Sequence, residues 1–317
     1  MAEPPQKDQT NLTWSNVTLG LSFVVFDAAV SHMLSLGVGS SLMVAAFRCV
    51  VQLTLVATIL ERVFDTNNPL AVAGIALLLN VLGTFETVAN KCKRRYRHMF
   101  VSVLAGMLFS TIPTSIIGVR FAMGVTPFWR PEQYIPIVGM LCGSTISNVA
   151  VSVSYVLKEL DENRDKTETY LAFGASRLEA CRPIAREALR LALTPTINQM
   201  SVLGIIAIPG MMTGALLGGA SVQQAARLQM VIMFMISASS ALASIITTLI
   251  ALLVCVDGEH RIRPDRIDAR EHAVWRARDR LASAVVTGVR AAGRAVVDCV
   301  RRNKTDGEEE ERAPLLG

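Results

Sequence analysis

The chain has 317 residues, of which 51% are hydrophobic and 18% are charged, and its mean hydropathy is +0.42. A positive mean hydropathy does not suit a water-facing surface, so these values exclude a soluble protein and, for most of the chain, intrinsic disorder. The formal net charge of +5 does not indicate nucleic-acid binding, because the basic residues stand between or after apolar runs. They indicate the topology of a membrane protein instead.

Apolar runs of about 20 residues recur along the chain, each long enough to cross about 30 Å of hydrocarbon. We predict seven transmembrane helices, over residues 18–36, 42–60, 70–89, 100–121, 134–157, 191–212 and 228–256. The expected fold class is an all-α polytopic membrane helical bundle. Its expected organisation is an external or lumenal segment (1–17), a transmembrane domain (18–256) with one long charged loop (158–190), and a cytoplasmic tail (257–317).

The orientation of the bundle follows from its basic loops. The densest short basic block in the membrane-spanning part, residues 91–97, follows the third predicted helix. Cytoplasmic loops carry an excess of Lys and Arg, so this loop is predicted to be cytoplasmic and the N-terminus external or lumenal. Two glycosylation sequons, at Asn11 and Asn16, agree with that side. By the same count the 158–190 loop is cytoplasmic.

The 158–190 loop reads as two helices joined by a turn. Gly174 can end the first helix in a left-handed cap, and Ser176 with Glu179 forms the pattern of a capping box that starts the second. A short helix at the tip of such a loop would project into the cytoplasm. The membrane half of an ATP-driven transporter needs such a projection, because it receives force from a separate nucleotide-binding subunit. An amphipathic connector without a partner is the alternative.

The residues of this turn are similar to the coupling loop of ABC permeases, whose pattern is Glu-Ala-Ala, a glycine and a later proline. Here the acidic residue and alanine follow the glycine, so the likeness is partial. The candidates for coupling to an ATPase are Gly174, Ser176, Glu179, Arg182 and Pro183.

Longer strings carry a more specific resemblance. They occupy residues 48–52, 134–140, 188–204, 209–214 (PGMMTG), 218–221 and 225–230. With them the chain resembles the FetB (YbbM-like) iron-export permease family over residues 18–256, most strongly over 171–236. The resemblance implies a permease subunit, homodimeric by ABC logic, that pairs with a cytosolic ABC ATPase and moves iron out of the cytosol; related plant proteins are linked to aluminium tolerance.

The chain itself carries no pattern for nucleotide binding or catalysis. No lysine follows a glycine, so the GxxxxGK[ST] phosphate loop is absent, and ATP would have to be bound by the partner subunit. The four histidines lack catalytic or metal-ligand spacing, and no GxSxG elbow is present. We predict a transporter subunit, not an enzyme, without a cofactor of its own.

Ionisable groups inside membrane helices are costly, so each is a functional candidate. Asp27 and Arg48 lie about 9 to 14 Å from the predicted cytoplasmic face; they form either a structural ion pair or a gate or substrate ligand. Glu86 is expected to reach Arg94 or Arg95. The translocation candidates are Asp27, Arg48, Gln52, Glu86, Asn148, Asn198, Pro209, Gly210, Met211 and Met212.

Two features of these candidates leave alternatives open. Pro209 removes a backbone donor and Gly210 permits unusual dihedrals, so the sixth helix is expected to break there, either as part of the mechanism or as a passive kink. Met211 and Met212 offer soft contacts to a metal ion, but methionine is also a common filler of apolar cores. No metal site is identified.

The tail has a different composition. Residues 274–296 have the periodicity of an amphipathic helix, which would lie on the inner leaflet or dock against the cytoplasmic loops. Glu311, Leu315 and Leu316 match the acidic dileucine pattern read by sorting adaptors, which suggests an endosomal or vacuolar membrane.

Two other functions fit parts of the sequence. The same kind of permease could carry a nucleotide sugar or another small solute, with Arg48 binding an anion. A seven-helix receptor would share the predicted topology, but it has no need of a capped helix pair in the 158–190 loop.

Overall fold

The computed structural model describes residues 13–66, 68–92, 94–257 and 267–268. Nine α-helices lie in these ranges: α1 (Trp14–Met33), α2 (Gly39–Thr66), α3 (Pro69–Glu86), α4 (Met99–Ile117), α5 (Pro131–Glu162), α6 (Arg164–Ala172), α7 (Arg177–Val202), α8 (Gly210–Leu217) and α9 (Val222–Cys255). Short π-helical turns, Thr87–Lys91 and Gly118–Ala122, extend α3 and α4. The predicted all-α polytopic membrane bundle is confirmed.

The chain divides into two compact units, of which the first comprises residues 1–73 and 129–133. In this unit α1 and α2 form a hairpin. Ser31 stabilises its turn, since the Ser31 hydroxyl accepts a hydrogen bond from the Val38 amide at 3.3 Å. A side chain at Gly39 would lie 2.9 Å from the Ala28 carbonyl oxygen, so the close approach of the two helices requires glycine at this position.

The second unit comprises residues 74–128 and 134–317 and contains the core. Within it, α9 packs against α4 and α7. Small residues permit this close packing, as membrane bundles generally require. At Gly106 of α4, an added Cβ would lie only 2.5 Å from the Thr247 methyl carbon of α9. The side chains of Val103, Met107 and Ile232 are fully buried here.

Hydroxyl and amide groups also lie in the interior of the second unit. Thr111 donates a hydrogen bond to the Asn80 side-chain oxygen at 2.7 Å, and Asn148 donates to the Thr196 hydroxyl at 3.0 Å. These bonds join α3 to α4 and α5 to α7. Each pair satisfies polar groups that the bilayer cannot hydrate.

The prediction of seven membrane spans needs one correction. Within the described ranges, six helices are long and apolar enough to cross a membrane, namely α1, α2, α3 and α4 (the latter two with their π-helical turns), α5 and α9. The predicted sixth span, 191–212, is interrupted: α7 ends at Val202, and α8 begins only at Gly210. The chain turns between them because Gly204 adopts a left-handed conformation (φ +84°) and Pro209 lacks an amide donor.

The ends of α3 and α5 lie at one end of the second unit. Arg94, after α3, forms ion pairs with Asp161 (3.2 Å) and Glu162 (3.0 Å) at the end of α5. A two-residue strand β1 (Arg95–Tyr96) pairs antiparallel with β2 (Ile267–Asp268). The start of the tail is thereby attached to the basic loop. The predicted amphipathic helix at 274–296 falls outside the described residues.

Candidate functional site

The turn between α6 and α7 has a fixed backbone geometry. Gly174 takes a left-handed conformation (φ +90°) immediately after α6. The Gly174 amide donates to the Leu171 carbonyl at 3.0 Å, and the Ala175 amide donates to the Tyr170 carbonyl at 3.1 Å. These two bonds form a Schellman motif, so the predicted glycine cap is confirmed.

The second half of the turn is the predicted capping box. The Glu179 amide donates to the Ser176 hydroxyl oxygen at 3.4 Å, while the Ser176 amide donates to the Glu179 carboxylate at 2.9 Å. The Ser176 hydroxyl donates to the same carboxylate at 2.7 Å. These donated hydrogen bonds hold the pKa of Glu179 below its usual range. Helix α7 therefore starts at a defined residue, five positions after α6 ends.

The turn presents an exposed aromatic side chain directly before its glycine cap. Phe173 is 88% exposed, and Leu178 on the other side of the turn is 52% exposed. Arg182 and Pro183 are exposed on the following turns of α7, and the helix continues through Pro183. All five predicted coupling residues thus lie in one segment, the α6–α7 turn and the first turns of α7. Phe173 was missed, although its place directly before Gly174 was a usable signal.

A cavity of about 200 Å³ lies behind this turn, between α5, α6 and α7. Its lining combines an acid, a base and two phenols with apolar groups. The lining residues are Tyr155, Glu159, Asn163, Lys166, Thr167, Tyr170, Ala180, Pro183 and Ile184. The cavity lies between the loop helices and the end of α5, while Thr167 and Leu171 of α6 and Ala180 of α7 are buried.

The interruption between α7 and α8 contains the PGMMTG string. Pro209 precedes α8, and its carbonyl accepts a hydrogen bond from the Thr213 amide at 3.1 Å. Met211 and Met212 are half-buried on α8, whereas Gly210 and Asn198 are exposed. The break predicted at Pro209 is present, but it is wider than predicted and takes in residues 203–209. Ile205 and Ile206 in this segment are 85% and 81% exposed.

The intramembrane charges of the first unit do not form the predicted pair. No ion pair joins Asp27 and Arg48 in the described part of the chain, and Arg48 interacts with another group. The side chains of all three candidates of this unit, Asp27, Arg48 and Gln52, are exposed.

Glu86 also has a partner other than the predicted one. It accepts a hydrogen bond from Asn90, one turn further along. Arg94 pairs with Asp161 and Glu162 as described, and Arg95 donates to the carbonyl of Val88 at 3.0 Å. The contacts described for both arginines are thus made at the loop itself and at the end of α5.

The remaining predicted sites have simple locations. Asn16 lies exposed in the first turn of α1, close to the expected membrane surface. Asn11 and the dileucine residues Glu311, Leu315 and Leu316 fall outside the described residues. In the described ranges, no three His, Cys, Asp or Glu side chains converge as metal ligands do.

One polar feature of the second unit was missed. Five buried hydroxyl residues follow one another on α9: Ser239, Ser240, Ser244, Thr247 and Thr248. Their recurrence at three- and four-residue intervals inside an apolar helix was visible in the sequence. It is the densest group of buried hydroxyls on any described helix.

Comparison with known proteins identifies the family. Residues 14–255 match the model of the Uncharacterised protein family (UPF0014). A UPF0014 membrane protein of Synechocystis sp. is 31% identical over 244 residues, which are 75% of this chain and 91% of the relative. The UPF0014 membrane protein STAR2 of Oryza sativa subsp. japonica is 32% identical over 229 residues (71% and 77%). The Probable iron export permease protein FetB of Escherichia coli is 24% identical over 253 residues (80% and 95%).

No solved structure matches the chain. The family match covers α1 to α9, and the resemblance to FetB seen in the sequence is confirmed. The chain is a multi-pass membrane protein that belongs to the UPF0014 family.

Proposed function

We propose that this chain is the membrane subunit of an ATP-driven metal-ion exporter, with iron as its cargo and a separate ABC ATPase as its energy source. The cargo rests on similarity to the probable iron export permease FetB. If ATP drives transport, a separate subunit must bind it, because the sequence has no phosphate loop.

The α6–α7 turn is the observation that carries the proposal. A loop that transmits force must resist bending, and this turn is closed on both sides by hydrogen-bonded caps. It also needs a contact surface, which Phe173 and Leu178 supply as exposed apolar side chains. Aromatic residues of this kind are common anchors of protein interfaces. Movement of the bound ATPase would then tilt α7, whose far end leads into the interruption at residues 203–209.

A second copy of the chain would cover the first unit. None of the residues in the most apolar stretch of α2 is buried, and the side chains of Asp27 and Gln52 in the same unit are exposed. Charged groups facing lipid are costly, whereas a protein partner or an aqueous cavity can accommodate them. We therefore propose a homodimer in which these residues line the contact between copies.

Affinity purification of the tagged full chain tests the partner. We expect wild type to retain an ATPase that carries a phosphate loop, and the Phe173→Asp variant to lose it. Arg97→Glu is the matched control, because Arg97 is exposed on the other predicted cytoplasmic loop. Recovery of no such ATPase with wild type, or equal recovery with Phe173→Asp, would contradict the coupling role.

Elemental analysis of cells tests the cargo. Cells that express the chain with its ATPase are expected to contain less cytosolic iron than cells that express Gly174→Pro, which cannot adopt the required φ. Unchanged metal content with altered nucleotide-sugar content would favour the small-solute alternative. Ligand-dependent signalling without any change in solute content would favour a receptor.

A further inference from the structure

Four polar atoms on α9 are buried without a hydrogen-bond partner among the described residues. They are the side-chain oxygens of Gln229, Ser240, Ser244 and Thr248. The three hydroxyl residues are 0% exposed. Buried polar groups normally have partners, so each such exception requires an explanation.

The other hydroxyls in this bundle show that partners are available. Thr247 donates to the Ala243 carbonyl at 2.7 Å, and Ser239 shares a hydrogen bond with Thr145 at 3.3 Å. Thr84 on α3 and Thr87 on the π-helical turn after it each donate to the carbonyl four residues earlier, both at 2.8 Å. Unpartnered hydroxyls are therefore not a general property of this interior. Apart from the Tyr96 hydroxyl on β1, the unpartnered hydroxyls of the described residues lie on one helix, α9.

The four orphaned groups share one face of α9. At about 100° per residue, Gln229, Ser240, Ser244 and Thr248 fall within a sector of about 100°. Met233, which is 4% exposed, lies in the same sector. From Gln229 to Thr248 the helix rises about 28 Å, close to the thickness of the hydrocarbon core. A row of neutral oxygen and sulfur atoms thus extends across the membrane.

We infer that this face of α9 is the path along which a metal cation crosses one protomer, captured here in its closed form. The inference rests on the proposed function and adds the ligands to it. Oxygen atoms suit hard cations and the thioether of Met233 suits softer ones, so the row fits a first-row divalent metal. Neutral ligands at intervals of about 6 to 11 Å bind weakly and at several sites, as rapid transit requires. Opening would require α9 to separate from a neighbouring helix.

A transport measurement on variants that lack the hydroxyl oxygens tests the proposed path. We expect the Ser240→Ala, Ser244→Ala, Thr248→Val variant to move ferrous iron at least tenfold more slowly than wild type. Its membrane level and thermal midpoint should not fall, because no hydrogen bond is lost. The control Thr145→Val, Ser239→Ala removes a bonded pair from the same interior and should stay within twofold. Transport by the triple variant within twofold of wild type would overturn the inference.

The reactivity of introduced thiols tests whether cations reach this face of α9, without a transport measurement. In a Cys49→Ser background, Ser244→Cys and Ser239→Cys place thiols at two fully buried positions of one helix. A small cationic methanethiosulfonate should modify the Ser244→Cys variant at least tenfold faster than the Ser239→Cys variant. Ferrous iron, kept reduced, should slow the reaction of the Ser244→Cys variant. Equal rates would refute the path. If wild type moves no metal, the proposed function fails, while the thiol rates still decide whether water and cations reach this face.

Discussion

Replacement of Gly106 by alanine tests the packing of α4 against α9. The new Cβ would lie 2.5 Å from the Thr247 methyl carbon, whereas carbon atoms in contact prefer about 3.5–4.0 Å. Thr247 cannot easily turn away, because its hydroxyl donates to the Ala243 carbonyl and its χ1 is restricted. The helices must therefore separate by about 1 Å.

Overpacking of this kind costs about 1–3 kcal/mol, and the better helix propensity of alanine returns up to about 1 kcal/mol. We expect a net destabilisation of about 1–2 kcal/mol, and therefore a thermal midpoint lower by about 2–8 °C. The assay is thermal unfolding of the purified full chain in one detergent at a fixed heating rate, since the midpoint of an irreversible transition depends on that rate.

Two further variants make this test specific. Gly139→Ala is the matched control, because a Cβ at Gly139 of α5 would meet no atom within 4 Å; its midpoint should stay or rise. Thr247→Ala removes the clashing methyl group, so Gly106→Ala should cost much less in that background. Equal effects of Gly106→Ala with and without Thr247→Ala would refute the assigned contact.

Three other predictions follow from single groups. Ser176→Ala should cost about 1 kcal/mol of local stability and speed amide hydrogen exchange in the first turn of α7 about fivefold; unchanged exchange would contradict the cap. Hydrogen bonds lower the pKa of Glu179, so the stabilisation of α7 by its carboxylate is complete above the ordinary glutamate pKa and is lost as the pH falls through the depressed value. Amide hydrogen exchange in the first turn of α7, corrected for intrinsic rates, should show this pH dependence. Glu179→Gln should abolish the pH dependence. Thr111→Val leaves the Asn80 oxygen without its donor and should lower the free energy of unfolding by about 0.6–1.7 kcal/mol, whereas no change in the thermal midpoint would count against this bond.

The turn between α6 and α7 could be predicted residue by residue because its determinants are local. Gly174 ends one helix, and Ser176 with Glu179 starts the next, through hydrogen bonds that span no more than five residues. The break in the sixth span was predicted at Pro209 for the same reason. The actual start of the break, after Val202, was not predicted. In the sequence, a glycine with a left-handed conformation, such as Gly204, looks the same as a glycine that packs inside a membrane helix.

The partners of intramembrane polar groups depend on helix packing and could not be predicted. Arg94 meets Asp161 and Glu162 because the ends of α3 and α5 lie together, a contact between residues more than 60 positions apart. Asp27 does not pair with Arg48, because the rotation of α1 about its axis is set by tertiary contacts. The spacing of two polar groups in the sequence predicts a contact between them only where both belong to the same helix.

The central claim is that ATP hydrolysis by a separate subunit drives metal export through this chain. The most direct measurement is ferrous iron uptake by inverted membrane vesicles that contain the chain and its copurified ATPase. The account predicts uptake that requires ATP and the chain together and is lost with Gly174→Pro. Uptake that proceeds equally without ATP, or that survives Gly174→Pro unchanged, would contradict it.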